Sequence, residues 1–169
     1  MKYTSAEANK LLKQLMQDHF AVTNIERQSS TFLAATGENP DSVKPEYDYK
    51  KTQETLRELS AKIRKIKHAI NMFNTTTVVP GFDMTIDEML VYLPQLSERV
   101  NTLNSMSNTL PKVRERIFGQ GTNATIDYRY ANYDISAVKK DYEELRSLLS
   151  KAQTALDLLN SSVTFEIEL

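Results

Sequence analysis

The feature that most constrains this chain is a stretch from Glu46 to Phe73 in which large apolar residues recur at spacings of three and four. That spacing lines them up along one side of an α-helix that packs lengthwise against other helices. The basic residues between them fall on the flanks of the helix, where water reaches them. The stretch therefore predicts a long helix whose packing residues are Leu56, Leu59, Ile63, Ile66, Ile70 and Phe73.

Three further stretches show helical spacing, and each begins with a recognisable cap. Thr4 with Glu7, and Thr85 with Glu88, have the Thr-x-x-Glu spacing of a capping box. Asp134 can cap the last helix, because its carboxylate can accept from the first free backbone amides. We expect helices to begin directly after these three positions. The predicted packing residues of the last helix are Ile135, Val138, Tyr142, Leu145, Leu149, Ala152, Leu156 and Leu159.

The first helix presents two possible apolar stripes. The stripe with regular spacing contains two polar residues, Asp18 and Ser29, and polar residues on such a stripe usually fix the register or the oligomeric state of the packing. A neighbouring stripe leaves Asp18 in water, and we favour it because wide apolar stripes are usual in globular bundles. The first stripe comprises Ala8, Leu11, Leu15, Val22, Ile25 and Phe32, and the second is centred on Leu12, Met16 and Phe20.

Two segments show the alternation of β-strands instead. Residues 112–131 contain two alternating runs on either side of a glycine-containing loop, which predicts a β-hairpin. Residues 163–169 alternate apolar and polar positions, which predicts a strand at the C-terminal end. An isolated hairpin is marginally stable in water, so we expect this one to rest on the helices or to pair with another chain.

These elements predict a mainly α fold within one helical domain over residues 1–169. It is an antiparallel four-helix bundle built from long helical hairpins, with a small β-hairpin insertion and a C-terminal extended strand. The first hairpin spans about residues 5–73, because the turn-rich segment between its helices is short. A second helical pair spans about residues 85–160, with the β-hairpin inserted at about 112–131.

Composition excludes several classes of protein. The 169 residues include 21 basic and 22 acidic ones, and this balance is unlike that of a dedicated nucleic-acid binder. The chain has no cysteine, which excludes disulfides, thiolate catalysis and cysteine-bound metals. No stretch has the apolar length of a signal peptide core or a membrane span, so we expect a cytoplasmic protein without a membrane partner.

Five short motifs resemble a known family. They are Gly37-Glu38-Asn39-Pro40, Ile70-Asn71-x-x-Asn74, Thr85-Ile86-Asp87-Glu88, Tyr133-Asp134-Ile135 and Leu156-Asp157-Leu158-Leu159-Asn160. Together they span most of the chain, and their order is similar to that in small bacterial proteins of uncharacterised function labelled septicolysin-like. The resemblance implies long helical hairpins with a short β insertion, assembled as homo-oligomers. It implies no catalytic activity.

Candidate sites for cofactors or metals are weak. The letters from Gly119 to Ala124 fit G-x-G-x-x-A, but a dinucleotide site needs a following helix, and a strand-like run follows here. His19 and His68 are the only histidines, and neither has a partner at metal-ligand spacing on its own helix. We therefore expect a hairpin loop and structural histidines, with no cofactor and no metal.

The sequence favours a cytoplasmic helical oligomerisation or adaptor protein without catalytic activity, most simply a homo-oligomer. Long apolar stripes, an exposed hairpin and a terminal strand all leave apolar edges for a partner. The predicted interface residues are Leu56, Ile63, Ile70, Tyr128, Tyr130, Leu145, Leu149, Leu156, Phe165 and Ile167.

Two alternatives remain. A nucleic-acid-associated protein would use the basic residues of the second helix and the hairpin, with hairpin tyrosines stacking on bases. An enzyme or ligand-binding protein would form its site between subunits, in a polar pocket that contains His19 or His68 and acids. The residues of the nucleic-acid alternative are Lys62, Arg64, Lys65, Lys67, Arg114, Arg116, Arg129, Tyr128, Tyr130 and Tyr133.

Overall fold

The computed structural model of the protein describes residues 1–115 and 127–168. Within these ranges the chain is mainly α-helical, with two short pairs of antiparallel strands, which confirms the predicted class. No helix in the described ranges has the length and apolar character needed to cross a membrane. The chain divides into two compact units, Met1–Thr77 with Leu158–Leu169, and Val78–Asp157.

The first unit begins with β1 (Lys2–Thr4) and α1 (Ser5–Ser29). The predicted capping box is present, since the Thr4 hydroxyl accepts from the Glu7 amide at 3.2 Å and the Glu7 carboxylate accepts from the Thr4 amide at 2.8 Å. These donors, the Thr4 amide first and its hydroxyl second, lower the pKa of the Glu7 carboxyl. A cap satisfies amides that have no partner inside the helix, which fixes where α1 begins.

The segment after α1 contains a short helix that the sequence did not predict. α1 ends at Ser29 rather than continuing to Phe32, and α2 (Pro40–Val43) forms a single turn within the predicted linker. The Asn39 side chain caps this turn by accepting from the Asp41 amide at 3.1 Å. Asn-Pro is a favourable start for such a turn, because proline has no amide to satisfy.

The long predicted helix is α3 (Tyr49–Thr76), and it packs antiparallel to α1. At the end of the pair remote from β1, the Glu26 carboxylate of α1 accepts from the hydroxyl of Tyr47 at 3.2 Å and from the side-chain amide of Gln53. At the other end, Ala8 of α1 shares a buried cluster with Ile70 of α3. The predicted helical hairpin is thus confirmed.

The first unit is completed by β4 (Thr164–Glu166), which pairs antiparallel with β1. Lys2 lies opposite Glu166, and Thr4 lies opposite Thr164. One residue beyond the strands, the Met1 amino group donates to the Ile167 carbonyl at 3.1 Å, and the Ile167 amide donates to the Met1 carbonyl at 2.9 Å. The first and last segments of the chain are therefore joined by a continuous ladder.

Side chains alternate between the two faces of β4 and the residue after it, so the apolar side chains lie against the helical hairpin of α1 and α3. Ile167 is 2% exposed and belongs to the same buried cluster as Ala8, Ile66 and Ile70. Phe165 packs against that cluster and stacks on Phe73, with 4.5 Å between the ring centroids. This agrees with the period-two pattern predicted for the C-terminal segment. Its apolar face is occupied within the chain.

The second unit begins with a tight turn that leads into α4 (Ile86–Ser107). Val78 bridges Thr85 across the turn, and Gly81 has a φ of 81°, which favours glycine. The second predicted capping box is present, since Thr85 and Glu88 exchange the same hydrogen bonds as the first pair. Pro94 lies inside this helix, which continues past it to Ser107.

A hairpin and most of a long helix complete this unit. β2 (Lys112–Arg114) pairs antiparallel with β3 (Tyr128–Tyr130), as predicted, while residues 116–126 of the predicted hairpin lie outside the described residues. α5 (Ile135–Ser162) begins after Asp134, whose carboxylate accepts from the Ser136 amide at 2.8 Å. The predicted cap of the last helix is thus confirmed.

Replacement of Ile167 tests whether the C-terminal segment that contains β4 contributes to the core of the first unit. We expect Ile167→Ala to lower the free energy of unfolding by about 2 to 5 kcal/mol, because a buried side chain is lost and a cavity remains. Urea unfolding followed by circular dichroism measures the change. The matched control is Glu168→Ala at an exposed neighbouring position, which should shift it by less than about 0.5 kcal/mol. Equal effects of the two substitutions would contradict the placement of β4.

Candidate protein-interaction surfaces

α1 carries an apolar face that packs incompletely within the chain. Met16 is 48% exposed and Phe20 is 66% exposed, whereas Leu12, on the same side of the helix, packs partly on the buried cluster. Residues four apart lie above one another on a helix, so these three side chains form one continuous strip. We refer to Leu12, Met16 and Phe20 as the α1 face.

Two surface grooves border the α1 face. One has a volume of about 510 Å³ and lies between α1 and α3, with Ile63 and Ser60 on the α3 side. The other has a volume of about 330 Å³ and lies on the far side of the strip. Among the described residues, the side chains that line them include two cations, Lys13 and Arg64, and no carboxylate. The surface is thus apolar at its centre and cationic at its rim.

The structure shows which of the two predicted apolar stripes of the first helix packs within the chain. Ala8 is buried and Leu15 packs against the buried cluster, so the first stripe forms the contact with α3 over this part of the helix. Asp18 is exposed, as the favoured second stripe required. Met16 and Phe20 are nevertheless on the surface, because helical spacing identifies an apolar side of a helix and not what covers it.

A third groove, which we call the β4 groove, lies between α3 and β4. It has a volume of about 500 Å³. The stacked rings of Phe73 and Phe165 contribute to its apolar surface together with Met72, which is 51% exposed. Its polar lining comprises Lys65, His68, Thr76, Glu166 and Glu168.

The hairpin of the second unit presents a mixed aromatic and basic surface. The ammonium of Lys112 lies 4.1 Å from the ring centroid of Tyr128 and 5.3 Å from that of Tyr130. Arg114 lies opposite Tyr128 in the strand register, so it belongs to the same face. Arg129 points to the other face and is bonded to Glu115. We refer to Lys112, Arg114, Tyr128 and Tyr130 as the hairpin face.

The predicted interface residues differ in how far they are available to a partner. Leu56, Ile63, Leu145, Leu149 and Phe165 are half-buried, and Tyr128 and Tyr130 are exposed. Ile70, Leu156 and Ile167 are buried within a single chain. Contact of any of these residues with another chain stays a prediction. Sequence reasoning did not single out Met16 or Phe20 as surface residues, although the stripe that contains them was visible.

The histidines lie in separate grooves. His19 borders the groove between α1 and α3, whose described lining residues include no acid. His68 lines the β4 groove with Glu166 and Glu168, on an open surface rather than in an internal pocket. Among residues 1–115 and 127–168, no three histidine or acidic side chains are grouped closely enough to hold a metal. The G-x-G-x-x-A segment lies outside the described residues.

Comparison with known proteins gives information on the fold alone. No protein-family model matches the chain, and a search of curated proteins finds no match. The structure is similar to a crystal structure of a functionally unknown conserved protein from Corynebacterium diphtheriae, with a TM-score of 0.61. The match covers 98% of this chain and 100% of that one at 14% sequence identity. The shared architecture therefore extends over nearly the whole chain.

Proposed function

We propose that this protein is a non-enzymatic cytoplasmic helical protein that works by self-association, as a homo-oligomeric assembly or adaptor. The observation that carries the proposal is the exposure of Met16 and Phe20 on the α1 face, beside grooves that a neighbouring side chain can fill. Burying a large apolar side chain stabilises an association by about 1.5 to 3 kcal/mol. The resemblance to septicolysin-like proteins supports the same proposal, including packing of the long helices as a four-helix bundle.

The α1 face has the symmetry that a two-fold interface needs. Leu12 and Phe20 are each four residues from Met16. A two-fold axis beside Met16 sets α1 of one copy antiparallel to α1 of the other, and it places Phe20 against Leu12 of the second copy. The strip is therefore complementary to itself, which is the requirement for the commonest kind of symmetric dimer.

Light-scattering mass tests the proposal against the 19.3 kDa of one chain. We expect the unmodified protein to show a defined multiple of this mass. Phe20→Glu should reduce the mass to that of one chain, because a carboxylate buried without a partner is unfavourable at an apolar interface.

Ile25→Glu is the matched control for this measurement. Ile25 is 54% exposed on the same helix, but it lies about two and a half turns after Met16 and so points away from the α1 face. The Ile25→Glu protein should keep the mass of the unmodified one. A single-chain mass for the unmodified protein at all concentrations would contradict self-association, and equal loss with both variants would contradict the role of the α1 face.

A second candidate function is binding of single-stranded nucleic acid by the hairpin face. Two exposed tyrosines and two basic side chains lie side by side there, which is the combination that stacks on bases and attracts phosphates. The exposed face is small, and the net charge of −1 gives no general attraction. Any binding therefore has to come from the local arrangement of these four residues.

Fluorescence anisotropy with a labelled oligothymidylate tests this second candidate. We expect Tyr128→Ala with Tyr130→Ala to weaken binding by at least tenfold, since each stacked base contributes about 1 to 3 kcal/mol. Tyr49→Ala is the control, because Tyr49 is 64% exposed in the other unit. Binding should also weaken steeply with added salt as counterions are released. Affinity that does not change with salt, or with the tyrosines, would contradict the candidate.

A further inference from the structure

The edge of β4 that faces away from β1 carries backbone groups that have no partner among the described residues. Met1 and Ile167 exchange both of their backbone hydrogen bonds. In an antiparallel ladder every second pair does so, and the residues between direct their amide and carbonyl groups to the outer edge. Thr164 and Glu166 occupy these positions in β4. Within residues 1–115 and 127–168, neither of their backbone amides donates to another group.

The β4 groove lies beside this edge. Its α3 wall consists of residues that recur at helical spacing from Lys65 to Thr76, and its β4 wall includes Phe165 and Glu166. The stacked pair of Phe73 and Phe165 gives the groove an apolar surface, and Glu166 and Glu168 border it on the strand side. Because side chains alternate along a strand, those of Glu166 and Glu168 point to the face opposite Phe165. A strand edge with free donors next to an apolar channel is the arrangement that binds extended peptides by strand addition.

We propose that the β4 groove binds an extended segment of a different polypeptide, which adds to β4 as a third strand and carries basic residues at alternate positions. The segment's backbone pairs with the free groups of Thr164 and Glu166. Its alternate side chains point either into the groove, towards Met72 and Phe165, or to the opposite face of the sheet with Glu166. Apolar residues suit the first set, and Lys or Arg suits the second.

Charge selects this partner over a second copy of β4. Joining two copies of β4 at their outer edges sets Glu166 and Glu168 of both copies on one face of the joined sheet, where like charges are destabilising. Within the chain, β1 already places Lys2 opposite Glu166 on the paired side. A basic residue on the added strand repeats that arrangement on the free side. The site is thus distinct from the α1 face and does not depend on self-association.

The register predicts which amides of a bound peptide face β4. The peptide adds antiparallel to β4, so residues directly opposite Thr164 and Glu166 share their side-chain face and exchange backbone hydrogen bonds with them. In a peptide that alternates lysine with valine, these are the lysines, whose side chains lie on the face of Glu166. The lysine amides therefore point to β4, and the valine amides point away from it. Methylation of one set of amides tests the register without any change to the protein.

Isothermal titration calorimetry of the full chain with an acetylated, amidated heptapeptide of sequence Lys-Val-Lys-Val-Lys-Val-Lys tests the proposal. We expect saturable one-to-one binding. N-methylation of the internal lysine amides should weaken the affinity by at least tenfold, because the donors to β4 are lost. The matched peptide carries its two N-methyl groups on the amides of two of the three valines, so it has the same composition, charge and number of methyl groups as the peptide methylated at the two internal lysines. It should bind within about threefold of the unmodified peptide.

Protein variants supply a second readout. Glu166→Pro removes the amide that faces the added strand and spares the ladder with β1, because proline is accepted on an edge strand where its amide site faces outward. We expect at least tenfold weaker binding by this variant and unchanged binding by Phe20→Glu, which alters only the α1 face. Circular dichroism shows whether Glu166→Pro is folded, and the methylated peptides keep the test valid if it is not. Absence of saturable binding, or equal loss with both methylated peptides, would overturn the proposal.

Discussion

The pairing of β1 with β4 is the interaction on which the rest of the first unit depends. The ladder holds the C-terminal segment across the end of the α1–α3 hairpin, and this brings Ile167 into the buried cluster and Phe165 onto Phe73. Such a pairing is non-local, so it closes a loop of almost the whole chain, and its contacts must offset that entropic cost. Burial of the two apolar side chains supplies the compensation that three residues of strand alone would not provide.

The same pairing determines which surfaces remain available. One edge of β4 is used by β1, so partners meet only the opposite edge, where the β4 groove lies. The packing of α1 on α3 likewise uses one side of α1 and leaves Met16 and Phe20 on another. The two surfaces suit different partners, since the α1 face is apolar with a cationic rim and the β4 edge carries carboxylates. A protein that works through contacts can therefore bind a second copy and a different chain at separate places.

Local chemistry explains what the sequence predicted well. The capping boxes of Thr4 and Thr85 depend on residues three apart, so they can be recognised from the sequence alone. β1 was missed because three residues are too few to show alternation and its partner lies at the other end of the chain. The exposure of Phe20, like the burial of Ile70 that was predicted as an interface position, depends on what covers each helix face, which spacing does not encode. The grooves were not predicted for the same reason.

Amide hydrogen exchange in the free protein, measured residue by residue with NMR, tests the account most directly. The β1–β4 ladder predicts that protection of the amides from exchange alternates along the segment. Exchange should be slow at Phe165 and Ile167, whose amides are bonded to β1 or Met1, and fast at Thr164 and Glu166. Uniformly fast exchange along the segment would contradict the pairing that organises the first unit. Slow exchange at Glu166 would show that its outer edge is already occupied.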